Sequence, residues 1–239
     1  MTRLFNFFIL SALLGCSVNA QSLPFSHEVF DRVLQQFVDG RGMVNYGALK
    51  IERADLNTYL KQLAQLSPET NPERFPTRSD SLAYWLNAYN AFAIASVIDA
   101  YPVKSVRDIK WFYGFFNRID HLAGGRKYTL KHIEHEIVRK VFGDPRIHAG
   151  LNCASQGCPR LPQKAFRAAT LQSDLEEGMR VFLNETRNVQ LDKVENRVYL
   201  SAILKEFEGD FTAWIERHQD VQKARRFFGT ESRSEDFLH

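Results

Sequence analysis

Residues 144–162, DPRIHAGLNCASQGCPRLP, place one histidine, two cysteines and a Ser-Gln-Gly turn within nineteen residues of a chain that has only three cysteines. A thiol beside a histidine can act as a nucleophile, because the imidazole accepts the thiol proton. The same two cysteines can instead form a disulfide, which persists in exported proteins. The stretch is therefore the first place to look for chemistry.

A catalytic interpretation needs a third group that orients the histidine. On the helix predicted over 130–141, a rotation of about 100° per residue places Glu134 among the apolar side chains, which include Val141. His132, His135 and Arg139 fall on the opposite, solvent-facing side. A buried carboxylate needs a partner, either an arginine in a salt bridge or His148, which follows after a short connection; a third explanation is an error in the helical phase. In the catalytic interpretation, Glu134 holds one ring nitrogen of His148 and the other faces Cys153.

The secondary structure of this stretch decides whether the His148 side chain faces the core or points away from it. If residues 146–152 form a strand, alternation turns Ile147 toward the core and His148 away from it. Cys153 then reaches His148 only if the chain turns at Asn152 or Cys153. The small residues that follow allow the backbone N–H groups of 154–158 to converge on an oxyanion.

Three other interpretations of the cysteines stay open. Cys153 and Cys158 can close a small disulfide loop, or remain as two inert buried thiols. A zinc site would need two more ligands from the nearby histidines, and the spacing matches no standard zinc pattern. We expect no metal and no cofactor. The histidines considered were His121, His132, His135 and His148.

The elements that position these residues can be read from hydrophobic periodicity and turn signals. Helical spacing covers residues 24–39, 56–66, 80–102, 130–141 and 171–185, with Pro102 ending the long third segment and Thr129 capping the fourth. Hairpins are expected around Gly124-Gly125 and within residues 188–201. Helices and strands mix without regular βαβ alternation, so we predict a single-domain α+β fold that is rich in helices, with a small antiparallel β-sheet.

The segment 80–102 is apolar on nearly all sides, which is typical of a helix at the centre of a core. Asn87 and Asn90 lie on it at i, i+3, and buried amides need hydrogen-bond partners. They either bind neighbouring loops or, together with Tyr89, line the substrate cleft. Ser155 and Cys158 complete the predicted substrate-binding set.

Length and composition exclude several classes of protein. The 239 residues, with 44% hydrophobic and 25% charged residues, suit one folded domain and are too apolar for disorder. The net charge of +3 comes from 31 basic and 28 acidic residues. Because no run of like charge is long enough for a nucleic-acid footprint, we expect no nucleic-acid partner.

The first twenty residues, MTRLFNFFILSALLGCSVNA, have Arg3 as their only charge, followed by an apolar stretch and small residues. This pattern is typical of a secretory signal peptide. We expect cleavage after Ala20 and a single domain over 21–239 in the periplasm. In the alternative, LLGC is a lipoprotein signal and Cys16 carries a lipid anchor.

Four longer motifs together resemble one known family. AYWLNAYNAFAI, YTLKHIEHEIVR, DPRIHAGLNCASQGCPRL and VYLSAILKEFEGDF are similar to the domain-of-unknown-function family numbered 547, from about Phe25 to Trp214. The resemblance implies a relation to papain-like thiol enzymes, with their acid, histidine and cysteine set falling on Glu134, His148 and Cys153. That chain order differs from papain and implies a permuted or independently assembled site. Plant members serve as parts of larger assemblies, which implies a binding role.

Two functions follow from the sequence. The first is an exported cysteine-dependent hydrolase or acyl transferase, in which Cys153 attacks a carbonyl, His148 moves the proton and Glu134 orients His148. Its substrate would be a small molecule or a peptide, with envelope peptide or amide bonds the natural class. The second is a non-catalytic envelope binding or scaffold module shaped by a Cys153–Cys158 disulfide. The sequence makes no prediction about oligomeric state.

Overall fold

The computed structural model describes residues 23–110 and 112–218. The predicted signal peptide and the lipidation site at Cys16 lie outside the described residues. Within the described ranges, no helix combines the length and apolar character that crossing a bilayer requires.

The chain forms a helix-rich α+β fold, as predicted. Each helix expected from periodicity is present, with additional short helices between them. The α-helices are α1 (Glu28–Phe37), α2 (Tyr46–Ile51), α3 (Ala54–Gln65), α4 (Arg78–Ala100), α5 (Gly114–Asn117), α6 (Leu130–His132), α7 (Leu171–Asn184), α8 (Ala202–Glu206) and α9 (Glu208–His218). Short 3₁₀ helices cover Pro72–Arg74, Val106–Asp108 and Pro145–Ala149.

Helix α4 is the centre of the core. It starts at a capping box, in which Thr77 Oγ accepts from the N–H of Asp80 while the Asp80 carboxylate accepts from the N–H of Thr77. Every residue from Leu82 to Ile98 is buried. Helices α2 and α3 pack on α4, so the all-round apolar character of this segment is explained by its neighbours.

The β-structure consists of two separate antiparallel hairpins. Strand β1 (His121–Ala123) pairs with β2 (Arg126–Tyr128) across the Gly124-Gly125 turn, where both glycines have positive φ. Strand β3 (Val189–Asp192) pairs with β4 (Arg197–Leu200), with Val189 opposite Leu200. Both hairpins were predicted, but they do not join into one sheet.

The helix predicted over 130–141 begins as expected, with Thr129 Oγ accepting from the N–H of His132. From Ile133 to Phe142 it continues as a π-helix. Its i→i+5 hydrogen bonds put more residues into each turn than an α-helix has. The α-helical phase therefore fails toward its end: Val141, expected to be buried, is 54% exposed.

The strand predicted over residues 146–152 is wrong. Residues Pro145–Ala149 form a 3₁₀ helix instead. Asp144 caps it by accepting from the N–H of Arg146, and proline occupies the first turn, a combination that favours a helix start. The alternation that turned His148 away from the core is therefore also wrong, because His148 is buried with 4% exposure.

Candidate functional site

Residues 152–160 form a short loop, which we call the cysteine loop. A disulfide joins Cys153 to Cys158, whose Cα atoms are 5.9 Å apart. Cys158 is buried and Cys153 is half-buried. The hydroxyl of Ser155 lies 3.2 Å from the Cys158 sulfur and 3.4 Å from the Cys153 sulfur. The two cysteines thus form a bridge, and neither is present as the free thiol that a nucleophile requires.

Hydrogen bonds from outside the bridge also fix the cysteine loop. The Asn152 amide donates to the carbonyl of Pro159 at 2.7 Å, and its oxygen accepts from the N–H of Ala154 at 2.9 Å. The Arg187 guanidinium donates to the carbonyls of Gln156 and Cys158. Ala154 has a φ of +58°, a left-handed conformation that an L-residue rarely adopts unless its surroundings impose it. The loop backbone is therefore closely constrained.

Asn87 and Asn90 are structural clamps. The Asn87 side chain donates to the carbonyl of Phe166 at 2.8 Å and accepts from the same residue's N–H at 2.9 Å. Asn90 donates to the carbonyl of Gly150 and accepts from the N–H of Asn152. Both side chains are buried, at 0% and 1% exposure. Of the two roles considered for these amides, the geometry gives them the binding of neighbouring loops, and Asn90 also anchors the start of the cysteine loop.

The hydrogen-bond partner of His148 is Asp210. His148 Nε2 lies 2.8 Å from an Asp210 carboxylate oxygen, and its ring stacks on Phe207 with the ring centres 3.9 Å apart. Burial lowers the pKa of His148 to about 4, against the raising effect of Asp210. The imidazole is therefore neutral at neutral pH, with Nε2 carrying the proton that it donates to Asp210.

Arg139 extends this contact into a network. Its guanidinium donates to both carboxylate oxygens of Asp210, at 2.7 and 2.9 Å. A further guanidinium nitrogen lies 2.7 Å from His135 Nδ1; because arginine only donates, that nitrogen accepts. Arg139 also lies over the Phe207 ring. The network joins the π-helix, the 3₁₀ helix bearing His148 and helix α9.

The predicted hydrogen bond from Glu134 to His148 is wrong. Glu134 accepts instead from the hydroxyl of Tyr89, at 3.1 Å, on the side of the π-helix that faces α4. Burial raises the pKa of Glu134 to about 7, and the Tyr89 hydrogen bond opposes that effect. Burial beside this carboxyl also raises the pKa of Tyr89 well above its ordinary value. The partner of Glu134 is therefore the neutral hydroxyl of Tyr89 and not the arginine of a salt bridge.

A small cavity of about 80 Å³ lies beside the Arg139–Asp210 pair. It is lined by Arg139, Gly143, Asp144, Ile147, Gly209, Asp210, Ala213 and Arg217. Neither Cys153 nor Cys158 is among these residues. The charged cluster and the cysteine loop are therefore two distinct features, although His148 and Cys153 are only five positions apart in the chain.

Sequence reasoning gave no role to Arg139, Phe207 and Asp210, and it considered His135 only as a zinc ligand. The phase of an ideal α-helix placed His135 and Arg139 on the solvent side of their helix, whereas the structure half-buries both. Phe207 and Asp210 lie in the EFEGDF segment near the end of the described chain. Their spacing at i, i+3, with Phe211 next to Asp210, is the signal that could have marked one helical face.

The described residues hold no group of three or more histidine, cysteine, aspartate or glutamate side chains that could bind a metal.

Residues 73–183 match the family model described as "Protein of unknown function, DUF547". No curated protein matches the chain. No solved structure matches it either, so the papain-like relation stays a prediction.

Proposed function

We propose that this chain, whose residues 73–183 match the DUF547 family of proteins of unknown function, is an exported binding module of the cell envelope. The cysteine loop is its contact surface. The observation that carries the proposal is the Cys153–Cys158 bridge, which closes the loop. The hydrogen bonds of Asn152 and Arg187 hold the same backbone from both sides.

Such a loop suits recognition more than catalysis. A segment that is already ordered loses little conformational freedom when a partner binds, so more of the contact energy appears as affinity. Its tip exposes Ser155, Gln156 and Gly157. These residues offer a hydroxyl, a carboxamide and uncovered backbone, which favours a polar partner held by hydrogen bonds, such as a peptide or glycan of the envelope.

The loop-binding proposal can be tested by co-sedimentation with two separate fractions, peptidoglycan sacculi and envelope membrane vesicles. We expect the mature protein to sediment with at least one fraction and Gln156→Glu to weaken this association about tenfold or more, because a charge at the tip is costly against an uncharged polar partner. Lys61→Glu, on the exposed side of α3, is the control for a general charge effect. Failure to sediment with either fraction, or equal binding by Gln156→Glu and wild type, would contradict the proposal.

Export itself rests on the charge-poor apolar start of the chain. Mass spectrometry of protein recovered from periplasmic and membrane fractions identifies the first residue of the mature chain. We expect Gln21 in the periplasm; a diacylglyceryl group on Cys16 would indicate lipid anchoring instead. An uncleaved Met1 in cytosolic protein would contradict export.

A second candidate function, a thiol hydrolase or acyl transferase, is favoured by the His148–Asp210 hydrogen bond. A carboxylate that accepts from one imidazole nitrogen orients the ring of a general base, so Asp210 would take the role expected of Glu134. Cys153 would still be the nucleophile, after reduction of its bridge to Cys158. Peptide or amide bonds of the envelope remain the substrate class.

Alkylation separates this second candidate from the binding module. In the hydrolase, reduced Cys153 reacts with iodoacetamide under mildly acidic conditions, and His148→Ala abolishes that reactivity because the thiolate loses its partner. In the binding module, reduced Cys153 alkylates equally in wild type and His148→Ala. Peptide mapping identifies the modified cysteine, and preferential modification of Cys158 would show that the nucleophile is wrongly assigned.

A further inference from the structure

The two cysteines of the bridge differ in exposure. Cys158 is buried, with 3% exposure, whereas Cys153 is half-buried. Thiol–disulfide exchange proceeds by attack of a thiolate on one of the two sulfurs, and access helps to decide which one is attacked. An incoming thiolate therefore reaches Cys153 more readily than Cys158.

The hydrogen-bond donors favour the same direction of reaction. The backbone N–H of Cys153 donates to the Cys158 sulfur at 3.2 Å. The Ser155 hydroxyl lies closer to that sulfur than to the Cys153 sulfur, at 3.2 against 3.4 Å. Donors placed where negative charge develops stabilise the transition state. The Cys158 sulfur is therefore equipped to leave as a thiolate.

The surrounding hydrogen bonds hold the backbone that carries the Cys158 sulfur when the bridge opens. Arg187 Nη2 holds the carbonyl of Cys158 at 3.2 Å, and Asn152 holds the carbonyl of Pro159. Neither contact depends on the sulfur–sulfur bond. The backbone of Cys158 and Pro159 is consequently held during the reaction, which keeps the Cys158 sulfur beside its donors, as preorganised stabilisation requires.

We propose that the Cys153–Cys158 bridge is a thiol–disulfide exchange site, with Cys153 the attacked sulfur and Cys158 the leaving thiolate. A substrate thiolate attacks the Cys153 sulfur, the bond to Cys158 breaks, and its electron pair stays on Cys158, which then takes a proton from water. A second substrate thiolate attacks the substrate sulfur of the mixed disulfide and releases the Cys153 thiolate. The substrate thiols are oxidised to a disulfide, and the protein disulfide is reduced to two thiols.

This reactivity goes beyond the proposed binding function, which needs only the closed bridge. The substrate is a thiol, either a small monothiol or the paired cysteines of an exported chain. For a pair, both attacks come from one molecule. For a monothiol, the second attack comes from another molecule. One reaction consumes one protein disulfide.

The experiment treats native mature protein, first shown to contain the disulfide, with reduced glutathione or with a peptide carrying two cysteines. The mixture is trapped with iodoacetamide and mapped by mass spectrometry. We expect glutathione on Cys153 and the alkyl group on Cys158. Reaction with the peptide alone identifies paired cysteines as the substrate. An adduct on Cys158 would overturn the proposal. The proposal would also fail if neither thiol formed an adduct while the protein was folded.

Variants test the assignment of the leaving sulfur. Ser155→Ala removes one donor to Cys158 and should slow formation of the mixed disulfide by about three- to tenfold. Ser173→Ala is the matched control, because the Ser173 hydroxyl, on α7, donates to the carbonyl of Thr170 and contacts neither cysteine. In the single variants, Cys158→Ser should form a mixed disulfide with glutathione disulfide faster than Cys153→Ser. The assignment would be overturned if Ser155→Ala formed the mixed disulfide at the wild-type rate, or if Cys153→Ser reacted faster than Cys158→Ser.

The two proposals fail in different ways. If the native protein contains no disulfide, the proposed binding function loses its basis before any thiol is added. If the disulfide is present and resists both thiols in the native state, only the exchange proposal fails.

Discussion

At the scale of single residues, burial shifts two titratable groups in opposite directions. It raises the pKa of Glu134 to about 7 and lowers the pKa of His148 to about 4. In both cases burial favours the neutral form. The stabilisation associated with neutral Glu134 is complete below pH 4.5 and is lost as the pH rises through about 7. The stabilisation associated with neutral His148 is present above pH 6.5 and is lost as the pH falls through about 4.

The first prediction concerns Glu134→Gln, whose amide is neutral at every pH and can still accept from Tyr89. Relative to wild type, the variant should gain stability as the pH rises from 4.5 to about 7, by up to about 3 kcal/mol. Urea unfolding at a series of pH values measures this difference. Glu136→Gln is the control on the exposed side of the same helix. A Glu134→Gln difference that does not change with pH would contradict the raised pKa.

The second prediction concerns Asp210, which accepts hydrogen bonds from Arg139 and His148. Asp210→Asn leaves the Arg139 charge without its carboxylate and should lower the free energy of unfolding by about 2–4 kcal/mol. Urea unfolding measures the loss. Asp120→Asn is the control, because its partner Lys127 is exposed and such pairs contribute about 0–1 kcal/mol. Equal losses in the two variants would mean that the half-buried network around Asp210 does not add to stability.

At the scale of elements, the sequence predicted what depends on local patterns. The Thr129 cap, the Gly124-Gly125 turn and the long apolar segment of α4 each have a local signal, and each was located correctly. The π-helix has no comparable signal in its periodicity, and it shifted the phase on which the position of Val141 depended. Residues 145–149 carried two conflicting signals, and the Asp144-Pro145 helix start prevailed over apolar alternation.

The predicted site shows the same division. Its residues were selected because cysteine, histidine and an acid on an apolar helix face are unusual in their local patterns. Their partners were not found, because Asp210 reaches His148 from 62 positions away and Tyr89 reaches Glu134 from 45 positions away. Contacts at that separation depend on how whole helices pack, which neither spacing nor propensity encodes.

The third prediction concerns the clamp between α4 and the segment at Phe166. Asn87→Ala removes the side chain that pairs with both the N–H and the carbonyl of Phe166. Because both backbone groups are buried, the variant should lower the free energy of unfolding by about 2–5 kcal/mol. Asn184→Ala is the control, because Asn184 makes one exposed hydrogen bond at the end of α7. Chemical unfolding compares the two. A loss below about 1 kcal/mol for Asn87→Ala would indicate that water replaces the missing amide.

At the scale of the whole molecule, α4 lies in one large core, and a second, smaller cluster forms among residues nearer the C-terminal end of the described chain. The smaller cluster contains Ala149, Met179 and Phe182, with Ile203 and Phe211 packed on it. It brings α7, α8 and α9 against the 3₁₀ helix that carries His148. The cysteine loop follows that helix directly, so both cores fix its starting point. This architecture supports a loop that is held in one conformation.

The proposed binding function requires a Cys153–Cys158 bridge that is closed in the working protein, and thiol titration of the mature chain measures this. The protein is isolated under conditions that block thiol exchange, unfolded in guanidinium chloride without reductant, and titrated before and after reduction. We predict no reactive thiol before reduction, and both Cys153 and Cys158 after it. Two thiols that react before reduction would contradict the binding function and would favour the thiol hydrolase.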